Sequence, residues 1–187
     1  EALDRWLLER LQRVVDYARE RSKFYAAHLP ARPISSLLDF AALPFTTADD
    51  LRRCGGQMLC VRPDQVDRVV TLTTSGSTGQ PKRIYFTAGD QALTVDYFHH
   101  GMAEFVSPGD RVMSLFPGQS PGSLNDLLFQ ALERMGVQPL FFGFPTPERY
   151  RALLDSILEQ GATSLVGPAE PIAQAARLSQ SLGLDHI

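Results

Sequence analysis

The sequence predicts an α/β fold, a mostly parallel sheet flanked by helices and preceded by a helical N-terminal leader. Three observations carry this expectation. Apolar residues recur at helical spacing from Leu3 to Ala18, as on a helix with one apolar stripe. From Thr87 onward, helical stripes alternate with short β-branched and aliphatic runs, the order that builds a parallel sheet covered on both faces by right-handed crossovers. Between these regions two strand-like runs, Arg68–Leu72 and Arg83–Thr87, flank a stretch of glycines and hydroxyls. The expected organisation is a leader over residues 1–67 that packs on the main domain, and an α/β portion over residues 68–187.

In the leader, Leu3, Leu7, Leu11, Val14, Val15 and Ala18 share one stripe with Trp6 beside them, while Arg5, Glu9, Arg13, Asp16 and Glu20 point elsewhere. Acids interleaved with the arginines make that second face a solvated one. Leu29-Pro30 and Arg32-Pro33 break the helical pattern, and Ser35-Ser36 opens a short apolar segment through Leu37, Leu38 and Phe40, a loop with one or two short helices. Thr47-Ala48-Asp49-Asp50 fits a variant capping box, in which the Thr47 hydroxyl accepts from an orphan N–H and Asp50 reaches back.

The α/β portion is more regular. Thr87-Ala88-Gly89-Asp90 is a second plausible box, opening a helix with the core stripe Val95, Phe98, Met102 and Phe105. Turning about 100° per residue from Phe98 puts His100 on the far face and His99 on the flank. With no metal-ligand spacing nearby, the two are expected to be a surface pair. Pro108-Gly109-Asp110 is a turn, Arg111–Phe116 a strand, and Ser123-Leu124-Asn125-Asp126 the start of a helix whose apolar face runs from Leu124 through Leu127, Leu128, Ala131 and Leu132 to Met135. Gly136 ends it. Val137–Phe142 is the next strand, and Thr146-Pro147-Glu148 starts a helix that Gly161 ends. Thr163–Val166 is a short strand, and Pro171 opens a last helix carrying Ile172, Ala175, Ala176 and Leu182. Ligands of such sheets sit beyond the carboxyl ends of the strands, so Phe116–Gly122 and Gly167-Pro168 are candidate pocket walls; plain connecting loops of this length are equally common.

The chemistry concentrates in Thr73-Thr74-Ser75-Gly76-Ser77-Thr78-Gly79-Gln80-Pro81-Lys82, which reads as a phosphate-holding loop joining two strands. A polyanion needs many donors close together, and Gly76 and Gly79 remove side chains that would keep backbone N–H groups from closing on it. Ser75, Ser77 and Thr78 add hydroxyl donors, and Lys82 adds a charge on a flexible stem that reaches a β- or γ-phosphate. The common nucleotide loop places Lys directly after Gly and continues into a helix. Here Pro81 intervenes and forces extended geometry before a strand, so the loop is a different class of phosphate binder.

Thr74 to Lys82 resembles the [ST]-[SG]-G-[ST]-T-G-x-P-K signature of the adenylate-forming, acyl- and aryl-CoA ligase superfamily. Ser22-Lys23-Phe24-Tyr25 and Leu43-Pro44-Phe45-Thr46-Thr47-Ala48-Asp49-Asp50-Leu51-Arg52 resemble the helical leader of its phenylacetate-CoA ligase-like members, so the resemblance covers essentially the whole chain. It implies an N-terminal portion of an enzyme in which a carboxylate, of an aryl or fatty acid, attacks the α-phosphate of ATP, pyrophosphate leaves, and the thiol of coenzyme A takes the acyl group. Thr74, Ser75, Gly76, Ser77, Thr78, Gly79 and Lys82 would bind the nucleotide, Lys82 with a catalytic role, and Mg²⁺ would assist. The superfamily's aromatic-Gly-x-[ST]-Glu motif, ribose-binding aspartate and C-terminal catalytic lysine have no counterpart in the 187 residues, which implies a chain that is incomplete and inactive by itself. Two other classes fit the same loop: a non-catalytic nucleotide-binding or interaction module of this fold, and an NTP hydrolase releasing phosphate without any carboxylate.

Composition bounds the partners. The chain is 44% hydrophobic and 21% charged with a net charge of −3, an ordinary globular balance that predicts neither nucleic acid nor an anionic membrane as partner. No apolar run approaches the roughly 20 residues that span a bilayer, and Glu1-Ala2-Leu3-Asp4-Arg5 lacks the regions of a secretion signal, so a cytoplasmic protein is expected. The missing initiator Met points to a trimmed chain. Cys54 and Cys60 match neither C-x-x-C nor a zinc half-site and are expected as free thiols. The acid that would be activated and the oligomeric state leave no mark in the sequence.

Overall fold

A computed structural model describes residues 2–72 and 81–184, and its contacts group the chain into two compact units, residues 1–88 and 89–187. In the first unit, α1 (Ala2–Arg21) runs into α2 (Lys23–His28) across the buried Ser22. The Ser22 hydroxyl accepts from the Tyr25 N–H at 3.2 Å, capping α2, and donates to the Gln57 carbonyl at 2.9 Å. Gln12 on α1 accepts the N–H of the buried Ile34 at 2.8 Å, which ties the following loop to the helix. Ser36 caps α3 (Leu37–Ala41), and Thr47 with Asp50 forms the full capping box at the head of α4 (Ala48–Cys54). A 3₁₀ turn over Gly55–Gln57 follows.

The unit closes with β1 (Arg68–Leu72) and β2 (Lys82–Phe86), an antiparallel ribbon in register from Arg68 opposite Phe86 to Leu72 opposite Lys82. α4 and the 3₁₀ turn contact β2 directly, and by contacts the ribbon groups with residues 1–88. The apolar stripe of α1 departs from expectation. Val15 alone among its residues is buried, while Leu3, Leu7, Val14 and the neighbouring Trp6 are exposed. The reason is length: α1 has 20 residues, about 30 Å of helix, whereas its partners α2 and α3 have six and five.

The second unit begins after Ala88, the first residue of α5 (Ala88–Met102). Its sheet is parallel in the order β4 (Gln138–Phe141), β3 (Arg111–Ser114), β5 (Ser164–Val166), flanked by α6 (Leu124–Arg134), α7 (Tyr150–Gln160) and α8 (Ala169–Ser181). The expected α/β class is the one found. Successive residues of β3 point to opposite faces, so the central strand is buried on both. Met113 and Leu115 join Leu140, Leu153, Leu154, Ile157 and Ala175 in one core, and Val112 joins Val106, Leu128, Leu132 and Val137 in the other. Gly136 (φ 72°) and Gly161 (φ 59°) end α6 and α7 in the left-handed region that glycine adopts without steric cost.

Several boundaries shift. α5 ends at Met102, and Phe105, expected in its stripe, stands past that end and is 82% exposed. A 3₁₀ turn over Pro147–Arg149 precedes α7. α8 starts at Ala169, two residues before Pro171, because a proline within the first helical turn lacks only an N–H that would have no intrahelical acceptor. Ala176 and Leu182 face outward. Cys54 and Cys60 are free thiols, as expected, and burial pushes the Cys60 thiol up from its ordinary pKa. Among the described residues no helix is long and apolar enough to cross a membrane.

Candidate functional site

The β1–β2 ribbon flanks the segment that the sequence offers as a phosphate loop. Its last pair, Leu72 with Lys82, brings the two ends of the intervening segment to within about 5 Å, the spacing of paired strands. Both predicted strands are present. Thr74, Ser75, Gly76, Ser77, Thr78 and Gly79 lie outside the described residues. Lys82 lies inside them, half-buried at the first position of β2.

Alternation along β2 gives its faces different chemistry. Lys82, Ile84 and Phe86 share one face, and Arg83 and Tyr85 the other. On the Arg83 face a cavity of about 490 Å³ opens, lined by Arg52 and Arg53 of α4, Gly55 and Gly56 of the 3₁₀ turn, and Arg83 and Tyr85 of β2. The cavity reaches Pro81, the residue before Lys82. Arg52 pairs with Asp49 one turn back. Arg53 and Arg83 form no ion pair or side-chain hydrogen bond among the described residues. A Cβ at Gly55 would stand 3.8 Å from the Arg83 carbonyl and 3.9 Å from the Tyr85 ring, so the turn lies close against the strand.

In the second unit, both candidate wall segments at the carboxyl edge of the sheet are pinned. The loop after β3 is held by Asn125, which is fully buried in the first turn of α6. Its Nδ2 donates to the carbonyls of Phe116 and Gly118, both at 2.7 Å, and its Oδ1 accepts from the buried Ser114 hydroxyl. That hydroxyl in turn accepts the Phe116 N–H at 3.3 Å. The turn after β5 is held by contact: a Cβ at Gly167 would fall 2.7 Å from the Leu115 Cβ, closer than side chains tolerate. Beyond β4, Phe142 and Gly143 donate their N–H groups to the Ser114 carbonyl at 3.1 Å, and Arg149 stacks over the Phe142 ring at 4.5 Å.

The two histidines separate much as the helical wheel predicts. His100 is exposed, 3.7 Å from Asp96, and His99 is half-buried with its Nδ1 shielded and unpartnered. Among the described residues no three His, Cys, Asp or Glu side chains gather as a metal site, so Mg²⁺ finds no ready cluster of ligands there.

Sequence reasoning missed two features. Asn125 was legible only as part of a helix start, although a polar residue among Leu124, Leu127 and Leu128 is a signal for a buried hydrogen-bonding role. The arginine-lined cavity joins residues about 30 positions apart, and only the pairing of β2 against α4 brings them together.

No protein-family model and no curated protein matches the sequence. Among solved structures the chain is similar to 2-hydroxyisobutyryl-CoA ligase. With that ligase in complex with 2-HIB-AMP and CoA in the thioesterification state, the TM-score is 0.79 at 22% identity, covering 96% of this chain and 40% of that one. An open conformation with the same ligands gives 0.76 at 21% identity over the same shares. The postadenylation state with 2-HIB-AMP gives 0.74 at 22% identity, over 95% of this chain and 39% of that one. The chain therefore has the fold of part of 2-hydroxyisobutyryl-CoA ligase and spans about 40% of that ligase's length.

Proposed function

We propose that this chain is the loop-bearing portion of an ATP-dependent carboxylate–CoA ligase of the phenylacetate-CoA ligase-like kind, acting on an aryl or fatty acid by way of an acyl-adenylate. The observation that carries the proposal is the coincidence of a loop signature with its frame. Thr74–Lys82 has the spacing of an adenylate-forming phosphate loop, and the flanking residues pair as β1 and β2 with Lys82 at the loop's exit. The likeness to a CoA ligase that binds an acyl-AMP and CoA supports it at the level of fold.

The chain's own residues would act electrostatically. Donors from Thr74, Ser75, Gly76, Ser77, Thr78 and Gly79 would hold the triphosphate, and Lys82, fixed at its Cα by the ladder, would meet the negative charge that grows on departing pyrophosphate. A divalent ion such as Mg²⁺, carried in by the triphosphate, would lower its charge. Coenzyme A is the proposed acceptor of the acyl group.

The test is pyrophosphate release by the native gene product with ATP and a panel of aryl and fatty acids, alongside Lys82→Ala. Carboxylate-dependent release that falls about 10²–10³-fold in the variant, mainly in turnover, is the expected result. Phosphate release without a carboxylate would replace the proposal with NTP hydrolysis. Nucleotide binding with neither product would replace it with a non-catalytic module.

A further inference from the structure

We infer that the cavity between α4 and β2, lined by Arg52, Arg53 and Arg83 with no carboxylate among the described residues of its lining, is a binding site for a diphosphate group. Elsewhere in this chain arginines that meet acids pair with them, as Arg62 does with Asp64 at 2.8 Å and Arg151 with Asp155 at 3.1 Å. Here three arginines line one concavity; of the acids beside them, Asp49 is taken by Arg52, and Asp50 feels the charge of Arg53 but is bound by the Thr47 hydroxyl and N–H. Like charges drawn together cost free energy that an anion between them recovers. Guanidinium forks match phosphate oxygens two at a time, which lets Arg53 and Arg83, from opposite walls, share a group carrying several such oxygens.

Other features of the cavity fit the same ligand. Two of the arginines stand in the last turn of α4, where they also offset the negative end of the helix dipole, but Arg83 comes from a strand and has no such duty. Gly55 and Gly56 keep the wall below them bare; a Cβ at Gly56 would meet nothing within 4 Å, so any side chain there would project freely. The volume of about 490 Å³ admits a diphosphate together with part of a larger molecule, within the usual range of ligand pockets. The cavity also lies on the face of β2 opposite Lys82, which separates it from the proposed contacts of that lysine. The choice of a diphosphate rests on the adenylating proposal, whose product is pyrophosphate; the arginine cluster itself does not.

The experiment is arginine labelling of the full chain by phenylglyoxal, mapped by peptide mass, with pyrophosphate as the probe and potassium chloride matching its ionic strength. Pyrophosphate is expected to slow modification of Arg53 and Arg83 by about tenfold, as a filled charge-assisted site would, and to leave Arg151 on α7 unchanged. Equal rates in pyrophosphate and chloride, or slowing of all arginines alike, would overturn the inference. Lys82→Ala separates it from the loop: protection surviving in this variant supports a distinct cavity, and protection lost with the lysine overturns one. Arg83→Lys and Arg53→Lys, which keep charge and stem but lose the fork, are expected to weaken pyrophosphate binding by calorimetry with an unchanged far-ultraviolet spectrum; unchanged affinity in both would count against the site. ADP and coenzyme A run as parallel probes tell free pyrophosphate from a diphosphate ester. Absence of carboxylate-dependent turnover would remove the adenylating proposal and leave a protected cavity standing.

Discussion

The two units are held by different means. Of the sixteen buried apolar residues among those described, Val15 and Ile34 belong to the first unit and the other fourteen to the second, so only the second has a core in the ordinary sense. The first relies on directional bonds: Ser22 between α1, α2 and the Gln57 carbonyl, Gln12 on the Ile34 N–H, the Thr47–Asp50 box, and the five-pair ribbon β1–β2. The first unit carries the candidate loop segment on an antiparallel ribbon, while the second is built on a parallel sheet. Buried area sets the stability of one, and satisfied polar groups set that of the other.

The sharpest way to break this comparison is to cut one leucine from each unit. Leu154 is fully buried in the core over Met113, and Leu154→Ala is expected to cost about 2–5 kcal/mol, the range for cavity-forming leucine deletions. Leu3 is 71% exposed on α1, and Leu3→Ala should stay within about 0.5 kcal/mol. Urea melts of both variants measure this. A large loss at Leu3 would show that the stripe of α1 is covered in solution, and the contrast would fall.

Next in size is the polar exception inside the second unit. Asn125→Ala strands the Phe116 and Gly118 carbonyls and the Ser114 hydroxyl, an expected loss of about 1–3 kcal/mol, with faster amide exchange confined to the loop after β3. Global destabilisation without local exchange would mean that Asn125 supports the core rather than the loop. In the first unit the corresponding polar test is Thr47→Ala, which removes the cap of α4 and should cost about 1 kcal/mol. Thr47→Ser, which keeps the hydroxyl, should recover most of it.

How much of this was legible from sequence follows the same divide. The three parallel strands and α6 to α8 sit within a few residues of their expected places, because burial on both faces gives β3 a near-continuous apolar run, and because Gly136 and Gly161 mark helix ends by conformations other residues avoid. The Thr47 box and the two strands around the loop segment were legible for a similar reason, since caps and strand pairs are local. What sequence periodicity could not show was whether a stripe finds a partner. Leu3, Leu7 and Val14 have helical spacing yet remain exposed, and Phe105 continues a pattern that the helix itself does not. The arginine cavity was invisible for a further reason: Arg53 and Arg83 share it only through tertiary pairing.

The smallest effect to expect, and the one that compares the units most evenly, is acid sensitivity. Each has a half-buried carboxylate that binds nearby N–H and hydroxyl groups and is held below its ordinary value of 3.8. In Asp50 the cause is the Thr47 hydroxyl first and the Thr47 N–H second. In Asp110 it is the Ser107 N–H at 2.7 Å and then the Thr163 hydroxyl at 3.0 Å, which links the turn before β3 to the start of β5. A lowered folded value means that the fold favours the ionised form, so the stabilisation is complete above the unfolded value and fades as pH falls through the folded one. Both units should therefore hold their stability down to about pH 4 and lose part of it below. Asp50→Asn and Asp110→Asn should flatten that loss, each in its own unit, with amide exchange at Thr47 and Ser107 as the reporters. Because the described residues of the first unit include only two buried apolar ones to hold it once its box opens, Thr47 should lose protection at the higher pH of the two. If Ser107 loses protection first, the apolar core does not protect the turns at its edge, and the division of labour between the units is weaker than their burial suggests.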